Sequence, residues 1–243
     1  MRAYAIGDIH GHLSELERAH RLIRADRDRV GDGDAPVVHV GDLCDRGPDT
    51  RGVIDLLMAG IGRGAPWVVL KGNHDRMRAR FLDPVPRRDH RLREGLFWLH
   101  PSLGGKQTLA SYGIDTGTDA EAIHRAARDR VPHAHRAFVE TLPTSYRLGD
   151  IFFCHAGVRP GVPLDHQVED DLIWIRREFL DSTADHGALV VHGHTPVEVV
   201  SHYGNRLNID TGAGYGDPLS AVVLEGRRAW LLTEEGRVRV DPR

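Results

Sequence analysis

Over the first seventy residues, apolar and polar positions alternate between strand-like and helix-like spacing. Residues 3–6 form a short apolar run that stops at Gly7-Asp8. Leu13, Leu16, His20 and Ile23 then recur at three- and four-residue intervals, which places them on one face of a helix. Residues 36–40 read as a second strand, stopped by Gly41-Asp42. Asp49 is a candidate cap for a second helix, in which Val53, Leu57 and Ile61 share a face. Residues 66–70 form a third strand ending at Gly72. Strand, helix, strand, helix, strand is the pattern of a parallel sheet with crossover helices.

The pattern changes between about 76 and 148. This stretch is arginine-rich, is punctuated by Pro84, Pro86, Pro101 and Pro132, and has helical spacing near 120–142. It reads as a mostly helical insertion. Strand spacing resumes at 150–154, and 168–181 reads as another helix. From Ala188 onward short strands are expected at 188–192, 197–202, 206–210, 219–225 and 228–233, separated by turns such as Tyr203-Gly204-Asn205. The expectation is one α/β domain over 1–243, with two sheets sharing a core and helices outside.

Composition adds limits. The chain has 243 residues, 40% of them hydrophobic and 28% charged, as in ordinary soluble globular proteins. Its formal net charge of −3 sets up no field for nucleic acid or an anionic membrane, so neither is an expected partner. Two cysteines, Cys44 and Cys154, are too few for a disulfide framework. The first residues run directly into a motif, and no apolar run approaches the ~20 residues that span a bilayer. A cytoplasmic location is the expectation.

The candidate chemistry lies at strand ends. Three strands finish with a glycine followed by a polar ligand type: Gly7-Asp8-Ile9-His10-Gly11, Gly41-Asp42-Leu43-Cys44-Asp45-Arg46-Gly47 and Gly72-Asn73-His74-Asp75. Two later strands end in His155-Ala156-Gly157 and in His192-Gly193-His194-Thr195. One Gly-Asp after a strand is an ordinary turn. Five such ends, all offering Asp, Asn or His, converge where open α/β sheets build their sites. Asp, Asn and imidazole suit manganese, iron or zinc at a catalytic site, and one carboxylate can bridge two cations about 3.5–4 Å apart.

Asp-x-His, Gly-Asp-x-x-Asp-Arg-Gly and Gly-Asn-His-Asp, in this order, resemble the calcineurin-like metallophosphoesterases. Within them the chain looks like the phosphoprotein phosphatases, the serine/threonine phosphatase family, in its small bacterial and phage form. The resemblance runs from Gly7 to about Gly226. It implies an αββα sandwich of two mixed sheets flanked by helices. It also implies two divalent metal ions, manganese first with iron or zinc as alternatives, and attack on phosphorus by a hydroxide bridging the metals.

Carried onto this sequence, the family pattern makes Asp8 and His10 ligands of a first metal and Asp42 the bridge. Asn73, His155 and His194 hold the second. Many relatives have a further histidine where Pro196 stands here, so the first metal should lean more on water. Strand alternation puts His192 on the same face as His194, and His194 is the favoured ligand. Arg46 is placed to bind phosphate with a forked contact. Trp174-Ile175-Arg176 resembles the family's Trp-x-Arg element and makes Arg176 a second clamp, with Arg177 the alternative. His74 is the candidate acid for the leaving group, oriented by Asp45. Tyr215 resembles a tyrosine near the substrate groove, a packing role being the other reading. Asn73 also faces substrate in this scheme. The run Arg76, Arg78, Arg80, Arg87, Arg88, Arg91, Arg93 reads as a solvated helical face or as an anion-attracting rim. Cys44 and Cys154 read as buried strand-end residues, with a redox switch as the alternative.

The implied activity is phosphomonoester hydrolysis, with phosphoserine or phosphothreonine proteins or small phosphoesters as substrates. Symmetrical dinucleoside tetraphosphatases share the scaffold and are the alternative. They usually lack the aspartate at Asp45 and carry a longer lid. A catalytically dead binding module would show an eroded ligand, and every motif position is intact.

Overall fold

Strict alternation in the first strand sorts its side chains between two cores. In β1 (Arg2–Ile6), Ala3 and Ala5 face a second sheet while Tyr4 and Ile6 face helices. The computed structural model describes residues 1–243. The helices over Tyr4 and Ile6 are α1 (Leu13–Val30) and α2 (Thr50–Gly62), which bring Leu16, Ile23, Val53 and Leu57. Asp49 caps α2 as expected, its side chain accepting from Gly52 N.

The two crossovers set β1, β2 (Val37–His39) and β3 (Trp67–Val69) parallel. On the other edge of β1 lies β9 (Ala221–Glu225), antiparallel, followed by β10 (Arg228–Thr233) and β11 (Gly236–Val240). The order is β11-β10-β9-β1-β2-β3. The second sheet contains β4 (Ser145–Leu148), β5 (Ile151–Cys154), β6 (Leu189–His192), β7 (Ser201–His202) and β8 (Arg206–Asn208), in the order β4-β5-β6-β8-β7. Ala3, Ala5, Val38 and Val222 meet Phe153, Leu189, Val191 and Leu207 between the sheets. The outer face of the second sheet, with Phe152 and Val190, is covered by Leu172, Ile173 and Phe179. Helices, sheet, sheet, helices is the expected αββα sandwich. No helix is long and apolar enough to cross a membrane.

Several boundaries differ from the expectation. The segment 168–181 is two helices, α7 (Glu169–Trp174) and α8 (Arg177–Leu180), because Ile175 and Arg176 leave helical geometry between them. The segment 76–148 is not uniformly helical. After α3 (Asn73–Phe81), residues 82–104 form turns, and α4 (Gly105–Ser111), α5 (Ala120–Arg130) and α6 (His133–Glu140) follow. Its last residues are strand β4, where Tyr146 and Leu148 pack on the inter-sheet core and pair with β5. The expected strand 197–202 shortens to β7, since Val197 N instead bonds Asp210 O. β11 was not expected, although Arg237-Val238-Arg239-Val240 alternates as a strand should.

The arginine run is neither reading of the sequence throughout. Arg76 and Arg78 are buried. Arg76 makes a fork to Asp89 at 2.7 and 3.1 Å and reaches Asp170 at 2.6 Å, tying the insertion to the start of α7. Asp89 is fully enclosed, and its other cation is Arg80 at 3.3 Å. Arg76→Ala strands that carboxylate and should cost about 3 kcal/mol of stability. Urea unfolding that shows less than about 1 kcal/mol of loss would mean Arg80 alone compensates Asp89.

Candidate metal centre

The five expected strand ends do converge. Asp8, His10, Asp42, Asn73, His74 and His194 line one small cleft of about 60 Å³, together with Arg46, Arg176, Pro196, Asp210 and Tyr215. His155 stands behind it, fully buried against Asp42 and Asn73. Loop backbones are stitched together beneath the cleft. Ile9 N and His10 N both donate to Asp42 O, and Gly11 N donates to Leu43 O.

The backbone there is strained. Five non-glycine residues have positive φ: His10 at 45°, Asp42 at 50°, Asp45 at 77°, Arg46 at 68° and His194 at 68°. All five lie in or directly behind the cleft, which is where such strain is held when it serves a site. Two motif glycines are needed for a different reason. A Cβ on Gly72 would meet Asp42 Oδ1 at 2.1 Å, and one on Gly193 would meet Asp8 Oδ1 at 1.9 Å. Each carboxylate rests against a backbone with no side chain.

Asp42 is placed to bridge. Its Oδ1 lies 3.4 Å from His155 Nε2, and its Oδ2 lies 3.5 Å from His10 Nε2. Both imidazoles have a defined tautomer. His10 Nδ1 donates to Cys44 O at 2.8 Å and His155 Nδ1 to Val40 O at 3.0 Å, so each Nε2 carries a lone pair toward the cleft. His155 Nε2 meets Asn73 Oδ1 at 2.9 Å. Two acceptors that close call for a shared cation or a flipped amide. Asp8 Oδ1 and His194 Nε2 are buried with no partner. These orphaned atoms fit metal ligation by the set the sequence proposed. Two clusters of ligand atoms, His10-Asp42-His74 and Asp8-Asp42-His155, share Asp42.

Electrostatics point the same way. Burial holds the pKa values of His10, His155 and His194 below the usual imidazole range, keeping the neutral form that ligates metals. Burial, then Asp210 and Asp42, raise Asp8. Asp42 goes the other way: against burial, any proton on the neighbouring imidazoles of His155, His74 and His10 holds its carboxyl below the usual range. Asp210 is pushed up to about 6, mainly by burial. Three buried carboxylates in one cleft repel each other until cations neutralise them.

Asp210 escaped the sequence reading. It follows β8, a sixth strand end, and Asp210-Thr211-Gly212 has the ligand-x-glycine order of His155-Ala156-Gly157. Trp98 and Thr108 also escaped it. Asp45 Oδ2 accepts from His74 Nδ1 at 2.7 Å and from Trp98 Nε1 at 2.8 Å, and Asp45 Oδ1 accepts from Thr108 Oγ1 at 2.8 Å. Nothing local in the sequence ties residues 98 and 108 to residue 45.

The remaining candidates separate cleanly. Arg46 reaches His10 Nε2 at 2.7 Å and His74 Nε2 at 3.2 Å, with its guanidinium 4.6 Å from the Tyr215 ring. Tyr215 is exposed beside the cleft, where its ring meets Arg46 rather than the core. Arg176 lines the cleft and Arg177 does not. His192 does not join His194. It packs on Phe179 and approaches Arg206, because His194 lies beyond the end of β6 at positive φ, where alternation no longer holds. Cys44 and Cys154 are fully buried, and burial raises both thiol pKa values, so a redox switch on them has no accessible thiolate.

Fold and cleft together define a binuclear phosphoesterase. The calcineurin-like phosphoesterase family matches residues 1–222, and the chain belongs to it. The family uses a binuclear divalent metal centre. Among curated proteins the chain is similar to bis(5'-nucleosyl)-tetraphosphatase PrpE [asymmetrical] of Anoxybacillus flavithermus, 26% identical over 89% of this chain and 88% of that one. It is similar to the protein of the same description from Oceanobacillus iheyensis, 27% identical over 91% and 88%. Among solved structures it resembles one provisionally named a diadenosine tetraphosphatase, with TM-score 0.63 and 21% identity over 95% of this chain and 92% of that one. It also resembles a cold-active protein-tyrosine phosphatase of a Shewanella species, with TM-score 0.60 and 16% identity over 99% and 80%. At these identities the structural likeness speaks for the fold.

Asp210→Asn removes one of the three repelling charges. In chelator it should raise the unfolding temperature by a few degrees, the scale expected for about 1 kcal/mol. With manganese added, the same variant should gain less stability than the wild type. Unchanged behaviour in both conditions would show that Asp210 does not interact with the metal-binding carboxylates.

Proposed function

We propose that this protein hydrolyses the phosphoanhydride bonds of dinucleoside polyphosphates, using two divalent cations, manganese first. The supporting observation is the similarity to bis(5'-nucleosyl)-tetraphosphatases over about nine-tenths of both chains. This reverses the order of substrates expected from Asp45 and the length of the insertion. Asp8, His10 and Asp42 would hold one cation, and Asp42, Asn73, His155 and His194 the other. Bound there, the cations supply an acidified water and neutralise charge on the attacked phosphorus. Arg46 and Arg176, which both line the cleft, would grip phosphoryl oxygens that the cations leave free. The P–O bond to the departing nucleotide breaks, and that oxygen keeps the electron pair. Protonated on both ring nitrogens and released by Arg46, His74 would donate the Nε2 proton to it, while Asp45 holds the Nδ1 proton and steadies the ring.

A second reading, hydrolysis of phosphoserine or phosphothreonine, has its own support in the His74–Asp45 pair. A serine alkoxide needs protonation as it leaves far more than a phosphate does. We therefore expect kcat/KM with manganese to favour diadenosine tetraphosphate over a phosphoserine peptide by about tenfold or more, roughly 1.4 kcal/mol. A preference for the peptide would install the second reading, and full activity in chelator would remove the two-cation basis of both.

The proton donor has its own test. His74→Asn should retain both metals and lose about 10²-fold or more in kcat on a phosphoserine peptide. On nitrophenyl phosphate, whose leaving group needs little protonation, the loss should be much smaller. Equal losses on the two substrates would make His74 a binding group, and lost metal would make it a ligand.

A further inference from the structure

The insertion encloses a cavity of about 470 Å³ beside the catalytic pair, walled by Phe81, Leu92, Phe97, Trp98, Leu99 and His124. Protein interiors are packed without such voids, and an open apolar cavity of this size is what small-molecule sites look like. Its walls are aromatic. Phe81 and Trp98 lie 4.9 Å apart, and His124 meets Phe81 edge-on at 5.4 Å. Phe97 is 61% exposed, an unusual position for a phenylalanine without a partner. Arg87 and Arg88 also line it, beside Asp89 and Glu121, with Arg87 paired to Asp83 at 2.6 Å and Arg88 turned to the carbonyls of Leu92 and Arg93.

Trp98 joins this cavity to the chemistry. One edge of its indole donates to Asp45, which in turn holds His74. The cavity is therefore one indole ring away from the pair that serves the departing group. Nothing else among the larger cavities combines aromatic walls with a contact to the catalytic residues.

We infer that this pocket binds the aromatic base of the departing nucleoside, against the exposed ring of Phe97, with the buried Trp98 forming the wall toward Asp45. The inference rests on the dinucleoside reading for the identity of its ligand. Flat apolar walls suit a base.

The test uses adenosine, which has no phosphate, and the full protein in chelator, so that binding is read apart from metals and catalysis. Calorimetry should show saturable binding to the wild type below about 10 mM. Ala120→Phe, an exposed position on the pocket wall, and Phe97→Ala should each weaken it about tenfold or more. With manganese, both variants should lower the ratio of kcat/KM for diadenosine tetraphosphate to that for tripolyphosphate by about tenfold. No saturable adenosine binding to the wild type, or binding unchanged in both variants, overturns the pocket even if dinucleotides are cleaved. If the wild type fails to cleave diadenosine tetraphosphate but adenosine binds and both variants lose it, the nucleoside pocket stands and the proposed activity falls.

Discussion

Everything in this molecule is arranged around carboxylates that could not be buried together alone. Asp8, Asp42 and Asp210 face one cleft with neutral imidazoles around them. Without cations their mutual repulsion and desolvation oppose folding. The surrounding structure accepts that and more. Five residues keep positive φ, and two glycines leave bare backbone for the Asp42 and Asp8 oxygens to rest on. Such local costs are tolerable because the sandwich beneath is a regular, well-packed frame. The strand ends are rigid, so the ligands cannot drift apart to relieve their repulsion.

The insertion carries a second dependency. Asp45 belongs to the loop after β2, yet Trp98 and Thr108, residues from the insertion, complete its hydrogen bonding. A carboxylate with three donors is fixed in position, and it holds His74 in turn. The insertion is itself anchored by Arg76, whose fork to Asp89 and contact with Asp170 pull it against the helix that precedes Arg176. His74 and Arg176 are thus both held through the insertion, and the aromatic cavity lies within it.

Much of this was legible in the chain itself. Period-two and period-3.6 patterning marked the parallel strands and their crossover helices. Repetition of glycine plus Asp, Asn or His at five strand ends marked the cleft, because a parallel sheet brings such ends together whatever the loops do. The ligand candidates Asp8, His10, Asp42, Asn73 and His194 accordingly line one cleft, and His155 backs it. Asp210 lacks the preceding glycine that marks Asp8, Asp42 and Asn73, and its strand is one of several short ones.

What the tertiary structure alone decided has a common cause, contact between residues distant in sequence. The helix expected across 168–181 breaks at Ile175 and Arg176, where Arg176 lines the cleft, and helix periodicity does not encode that turn. His192 and His194 looked equivalent under strand alternation, but alternation ends where the strand ends, and positive φ at His194 sends the two apart. Arg76 and Arg78 looked like surface charge until Asp89 and Asp170 folded over Arg76 and the insertion packed around Arg78. Trp98 has no motif at all. Its role comes from lying 2.8 Å from a carboxylate 53 positions earlier. Local patterning specifies elements and the residues at their ends, whereas partners across the fold are set by how those elements pack.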